Sequence, residues 1–321
     1  MMAMTAQRAA FGEMLVQLGE GDPRIVVLDG DLATSTKTDL FAKAFPDRFF
    51  QMGIAEQNMF GVAAGLATLG FVPFATTFAC FTAKRAIDQV RVTIAQPRLN
   101  VKMVGAYSGV LTGKTGKTHQ AVQDIAVYRA MPNVVTIAPM DGAEVRAAMR
   151  AMVDYKGPVY LRLTRDPGPV VLNEQDSFVI GKAVVLRQGR DVTLIGTGEE
   201  SRRCLEAAES LEKRGIQAHV VHVPTLKPLD QETIVAAAAR TGFVVTAEEH
   251  SIIGGLGGAV AEVLGENHPV PMKRVGLQDT FCESGPNEAI LEKYGLTPRH
   301  LAEAAIGLLE SRGKMSGEVE K

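Results

Sequence analysis

A chain of 321 residues has the length of two domains at about 150 residues each, and its 46% hydrophobic and 22% charged residues are those of a folded chain, not a disordered or fibrous one. Thirty-four Lys and Arg against 36 Asp and Glu leave a net charge of -2 with no block of like charge, so the basic stripe that grips a nucleic-acid backbone is missing. Three widely spaced cysteines, Cys80, Cys204 and Cys282, form no Cys-x-x-Cys pair, which excludes a disulfide framework or a zinc site and suits a reducing compartment.

The first residues lack the continuous apolar run of a signal peptide and pass directly into a helical pattern over 5–19. A strand is predicted at 25–28 and a helix at 56–68. Residues 57–83 contain no charge, yet Gly61, Gly65, Gly70 and Pro73 divide them into helix, turn and strand, so they read as buried core and not as a membrane span. A cytoplasmic protein is the expectation. Strands follow at 71–76, 100–105, 134–138 and 159–163, with helices at 83–95, 120–129 and 142–153 between them. Residues 1–168 therefore read as one complete doubly wound domain. The stretch 169–190, rich in Pro, Gly and polar residues, reads as an ordered crossing segment. A second series then starts: strand 191–196, helix 199–214, strand 217–222, helix 231–241, strand 243–247 and helix 257–264, giving a second domain over 191–310 and a frayed tail over 311–321. Short β-rich runs alternating with longer helices predict the α/β class, as two doubly wound and mainly parallel sheets.

Two glycine-rich places imitate nucleotide sites. The pairs Gly113-Lys114 and Gly116-Lys117 lack the glycine five positions earlier that a phosphate-cradling loop needs, because Ser108 and Leu111 stand there. Residues 195–201, IGTGEES, end a dinucleotide fingerprint with Ser201 in place of its third glycine, and no acidic residue closes the following strand.

The richest segment for chemistry is 45–91. Glu56 is a single carboxylate opening a helix of small and apolar residues. The helix macrodipole favours an acid there for structural reasons alone, and a partly desolvated carboxyl also suits proton sharing. Phe78 and Phe81 stand three apart, a spacing that by itself favours core over a cofactor platform. His119, behind Thr118, reads either as part of a capped turn or as a general acid and base. Arg165 follows a strand, where α/β sheets place ligands and where interface ion pairs also occur.

Taken together, GIAEQNMFGVAAGLA (53–67), PFATTFACF (73–81), KTHQAVQDIA (117–126) and VYLRLTR (159–165) resemble the pyrimidine-binding half of a transketolase, and 191–308 resembles that family's C-terminal domain. The resemblance covers about residues 4 to 308 and implies a thiamine diphosphate fold followed by the transketolase C-terminal domain. It gives Glu56 the role of the glutamate that binds N1' of the cofactor's aminopyrimidine, and places Phe78 and Phe81 around that ring with Asp31 nearby. It makes His119 the histidine that binds donor hydroxyls and assists proton transfer, and Arg165, Arg8 and Ser35 the sugar-phosphate set. The family's GDG motif, which holds the diphosphate and Mg2+, is absent. The resemblance therefore implies the second subunit of a split transketolase, inactive alone, with Mg2+ ligated mainly by an N-terminal partner subunit in an alpha2-beta2 assembly.

Two positions depart from the family. Tyr107 stands at a family histidine and Thr115 at an aspartate that reads a sugar hydroxyl, while Lys114 and Lys117 add positive charge and Lys84 replaces a third aromatic. These departures predict a ketose donor outside the common pentose set. Competing readings are the beta subunit of a 2-oxoacid dehydrogenase decarboxylase, a deoxyxylulose phosphate synthase-like enzyme, and a regulatory paralogue that has lost catalysis. The intact Glu56, Phe78, Phe81 and His119 argue against the last.

Overall fold

The computed structural model describes residues 3–173 and 178–318. Strand β1 (Met4–Ala6) leads into helix Gln7–Gly21, β2 (Ile25–Asp29), short helices Ala33–Thr36 and Asp39–Ala44, and β3 (Phe49–Gln51). Next come helix Glu56–Thr68, β4 (Val72–Phe78), β5 (Lys102–Ala106), helix Asp124–Ala130, β6 (Val135–Ile137), helix Gly142–Asp154 and β7 (Val159–Arg162). After β8 (Pro167–Pro169) and β9 (Val184–Arg187) the second series runs β10 (Val192–Gly196), helix Glu200–Glu212, β11 (Ala218–His222), β12 (Thr225–Lys227) and helix Gln231–Thr241. It closes with β13 (Val244–Ser251), helix Leu256–Asn267, β14 (Met272–Leu277) and helices Asn287–Lys293 and Pro298–Glu318.

Seven strands form the first sheet in the order β12-β6-β7-β5-β4-β2-β3, parallel throughout except for β12. Its central strands are buried on both faces, which is why they read as continuous apolar runs. Phe11, Leu15, Phe41 and Met149 cover one face, and Met59, Phe60, Val90 and Ile94 the other. The second sheet has the order β14-β13-β10-β11-β9, with only β9 antiparallel. The predicted α/β class with two mainly parallel sheets is thus what the chain adopts. Among the described residues no helix is long and apolar enough to cross a membrane.

Several expectations need correction. The first half does not close its sheet alone: β12, from the second half, pairs antiparallel with β6 and forms the edge. The helix predicted over 83–95 is broken into Ala79–Thr82, Ile87–Gln89 and a π-helical turn Val90–Ala95, a wide turn that buries Val90, Ile94 and Ala95 in one core. Residues 5 and 6, expected as the start of the first helix, belong instead to β1, which pairs with β8. The last helix continues through Glu318 where a frayed tail was expected, and 319–321 lie outside the described residues, as do 174–177 of the crossing segment.

Candidate active site

The chain brings its polar and aromatic residues together beyond the carboxyl ends of β2, β4, β5 and β7, where parallel sheets bind ligands. After β2, the buried Asp29 carboxylate shapes the turn by accepting the Leu32 N–H at 2.6 Å and the Thr36 and Thr38 hydroxyls at 2.8 Å each. Burial pushes this carboxyl above its ordinary pKa, against those three hydrogen bonds. Asp31 turns the chain in the left-handed region at φ 68°, and its N–H donates to Gln51 Oε1 at 2.8 Å.

A depression of about 240 Å3 lies here, lined by Asp31, Glu56, Phe78, Phe81, Arg85 and His119 among others. Glu56 is the first residue of its helix and only 4% exposed. Its Oε1 accepts Arg85 Nη1 at 2.9 Å, and that guanidinium lies 3.8 Å from the centre of the Phe81 ring. A buried carboxylate needs such a charged partner, since desolvation opposes its ionised form. Phe78 ends β4 in extended conformation, Phe81 follows in the short helix, and their rings sit 5.8 Å apart. His119 meets both edge-on, at 5.9 and 5.5 Å, and its Nδ1 shares a hydrogen bond with Thr118 Oγ1 at 2.9 Å.

Tyr107 links this depression to a cationic cluster. Its ring stacks on Phe78 at 4.2 Å, and the Arg8 and Arg165 guanidinium groups lie 5.6 and 5.4 Å from its centre. Arg8 donates to the backbone carbonyls of Arg165 and Ser35, both at 2.9 Å, so Ser35 enters the cluster through its main chain. Arg165 Nε is buried without a hydrogen-bond partner, a donor suited to an anion. The Tyr107 hydroxyl, followed by Asp166, pushes the Arg165 guanidinium above its ordinary pKa despite partial burial.

Thr115 is exposed, and its hydroxyl donates to Thr112 O at 3.2 Å within its own turn. Lys114 and Lys117 are likewise exposed, and Lys84 Nζ lies 6.0 Å from the centre of the Phe281 ring. The residue missed in the sequence is Arg85. Its spacing of four from Phe81, on a turn already singled out for its aromatics, was the available signal. Two aromatic walls and a buried carboxylate fit a planar nitrogen heterocycle, which needs apolar faces and a hydrogen-bonding partner for a ring nitrogen. Among the described residues no group of three His, Cys, Asp or Glu is placed to hold a metal ion.

Comparison with known proteins bears directly on this arrangement. Residues 3–169 match the family model "Transketolase, pyrimidine binding domain", and residues 181–301 match "Transketolase, C-terminal domain". A putative transketolase C-terminal section from Methanocaldococcus jannaschii is 46% identical over 298 residues, covering 92% of this chain and 93% of that protein. A 6-deoxy-6-sulfo-D-fructose transketolase subunit from Clostridium sp. strain MSTE9 is 43% identical over 305 residues, covering 95% of each chain. A solved split-gene transketolase, described as an inactive β4 tetramer, superposes with a TM-score of 0.89 at 50% identity, over 95% of this chain and 98% of that one.

Proposed function

Since the chain belongs to the transketolase family, as one subunit of an enzyme divided between two chains, we propose that its depression receives the aminopyrimidine of thiamine diphosphate and serves two-carbon ketol transfer between sugar phosphates. The observation that carries this reading is the buried Glu56 carboxylate beside the Phe78 and Phe81 rings. When bound, thiamine diphosphate supplies the carbon nucleophile for the transfer.

Glu56 would hold a proton at N1' of the pyrimidine, a role that a carboxyl shielded from water performs better than a solvated one. Phe78 and Phe81 orient the ring and exclude water. His119, fixed at Nδ1 by Thr118, is left with Nε2 to meet a donor hydroxyl and move its proton. Arg8 and Arg165, with Tyr107 between them, would hold the anionic end of the sugar. The diphosphate and Mg2+ belong to an N-terminal partner subunit in this reading, in a two-plus-two assembly. Three buried, unpaired thiols agree with work in the cytoplasm. Tyr107 and Thr115 point to a donor outside the common pentose phosphates, and the sulfo-sugar enzyme subunit among the relatives supports such a shift.

The test is two-carbon transfer by the chain copurified with its partner, supplied with thiamine diphosphate and Mg2+, over a panel of ketose phosphates and sulfonates. Glu56→Ala is expected to lower turnover by at least about a hundredfold, the usual span of proton-transfer catalysis, while size-exclusion chromatography shows the same assembly. Turnover equal to wild type in that variant refutes the assignment.

A further inference from the structure

The loop that carries Tyr107, Thr115 and His119 connects β5 to helix Asp124–Ala130, and the second half of the chain meets it both through its core, which takes in Val110, Leu111 and Val122, and through polar contacts. The Val110 N–H donates to Glu249 Oε2 at 3.2 Å. The preceding residue, Gly109, has φ 71°, and a side-chain carbon there would overlap the same carboxylate oxygen. Gly116, at φ 68°, lies so close to Ser284 that a Cβ would overlap its hydroxyl. Gln120 Nε2 donates to Glu283 O at 3.3 Å, and the Ser251 N–H donates to Val122 O at 2.9 Å.

Glu249 is itself tightly held. It is 4% exposed on β13, and its Oε1 accepts Arg203 Nη1 at 2.9 Å. Arg203 also donates to Glu200 at 2.6 Å and lies 3.6 Å from Glu199. The Glu249 carbonyl accepts Arg162 Nη2 at 2.8 Å, which ties the same residue to the end of β7. Glu249 does not line the depression. Its position is fixed by charge, and its outer oxygen spends that rigidity on one backbone N–H of the loop.

We propose that the second half of the chain positions the substrate-binding loop, with Glu249 anchoring Gly109 and Val110 and Ser284 seating Gly116. Glu249 is a positioning residue that sets affinity for the donor sugar through a loop it touches from behind. The inference rests on the reading above that Tyr107 and His119 face the donor.

Two measurements test it. In the full chain alone, amide hydrogen exchange over 107–120 should quicken about tenfold in Glu249→Ala, the equivalent of one hydrogen bond to a charged acceptor, with exchange in β4 unchanged. Arg203 keeps Glu200 and Glu199 in that variant, so no buried cation is orphaned. In the reconstituted enzyme, KM for the donor ketose should rise about tenfold while the cofactor Kd stays at the wild-type value. Glu249→Gln has one oxygen for two donors, and the Arg203 guanidinium takes it, so this variant should loosen the loop as Glu249→Ala does while keeping the side chain's volume. Ser284 is exposed, so Ser284→Leu leaves the core intact and should raise the donor KM by crowding Gly116; it decides the matter if Glu249→Ala fails to fold. Unchanged loop exchange, or a donor KM that neither variant moves, overturns the proposal. A wild-type assembly without two-carbon transfer would instead overturn the functional reading, leaving the exchange experiment to decide whether the loop is anchored.

Discussion

Glu56 and Arg85 are adjacent in space and 29 positions apart in the chain. The carboxylate is 4% exposed and the guanidinium 45%, so the pair is half screened by water and adds little to stability. Arg85→Ala is expected to lower two-carbon transfer by the reconstituted enzyme about tenfold, the equivalent of about 1.4 kcal/mol of lost orientation of the Glu56 carboxylate. Arg85→Lys, which keeps the cation, should recover most of that loss, and a rate in Arg85→Ala equal to wild type would show that the pair has no part in the chemistry. Glu56, Phe78, Phe81 and His119 could be picked out in the sequence because several short motifs agree in order and spacing. The structure brings these four around one depression. Arg85 could not be assigned to Glu56 in the same way, because a long cationic side chain on a turn reaches many positions and only the tertiary packing selects one. Thr115 shows what a motif leaves open: its hydroxyl donates to Thr112 O within its own turn, a local contact that only the folded loop reveals.

At the level of elements, the loops of the site depend on how β7 ends. Arg162, 5% exposed, donates through Nε to Asp124 Oδ2 at 2.8 Å, and the same oxygen accepts the Tyr160 hydroxyl at 2.8 Å. Asp124 is the first residue of helix Asp124–Ala130, so this pair joins strand, helix and, through Glu249 O, the second half. Arg162→Met should cost about 3–5 kcal/mol of unfolding free energy by leaving Asp124 buried and unpaired, measurable by urea titration; a loss below about 1 kcal/mol would mean that water or a neighbour replaces the guanidinium. Strands such as β4 and β10 were legible because they are buried on both faces and read as unbroken apolar runs. The edge strands β3 and β12 have three residues each, too few to carry a period, and are defined by the neighbours they pair with. The helix predicted over 83–95 failed for a related reason: Val90, Ile94 and Ala95 are buried, but in a widened turn, while Val92 in the same turn is exposed.

For the whole molecule, length foretold two domains and the alternation of strands and helices two sheets, but not their dependence on each other. β12 crosses from the second half to complete the first sheet, Arg162 reaches Glu249, and Glu249 reaches the loop after β5, so the two halves fold around shared contacts. No local pattern announces a three-residue strand that changes sheets. The same scale carries the central claim, that the chain holds the pyrimidine side of a cofactor site which the partner subunit completes. Isothermal titration of thiamine diphosphate with Mg2+ into this chain, into its partner and into their equimolar mixture tests that claim most directly. Tight binding in the mixture alone, at one cofactor per pair of unlike chains, is the expected result. Binding to this chain by itself with the affinity of the mixture would contradict it.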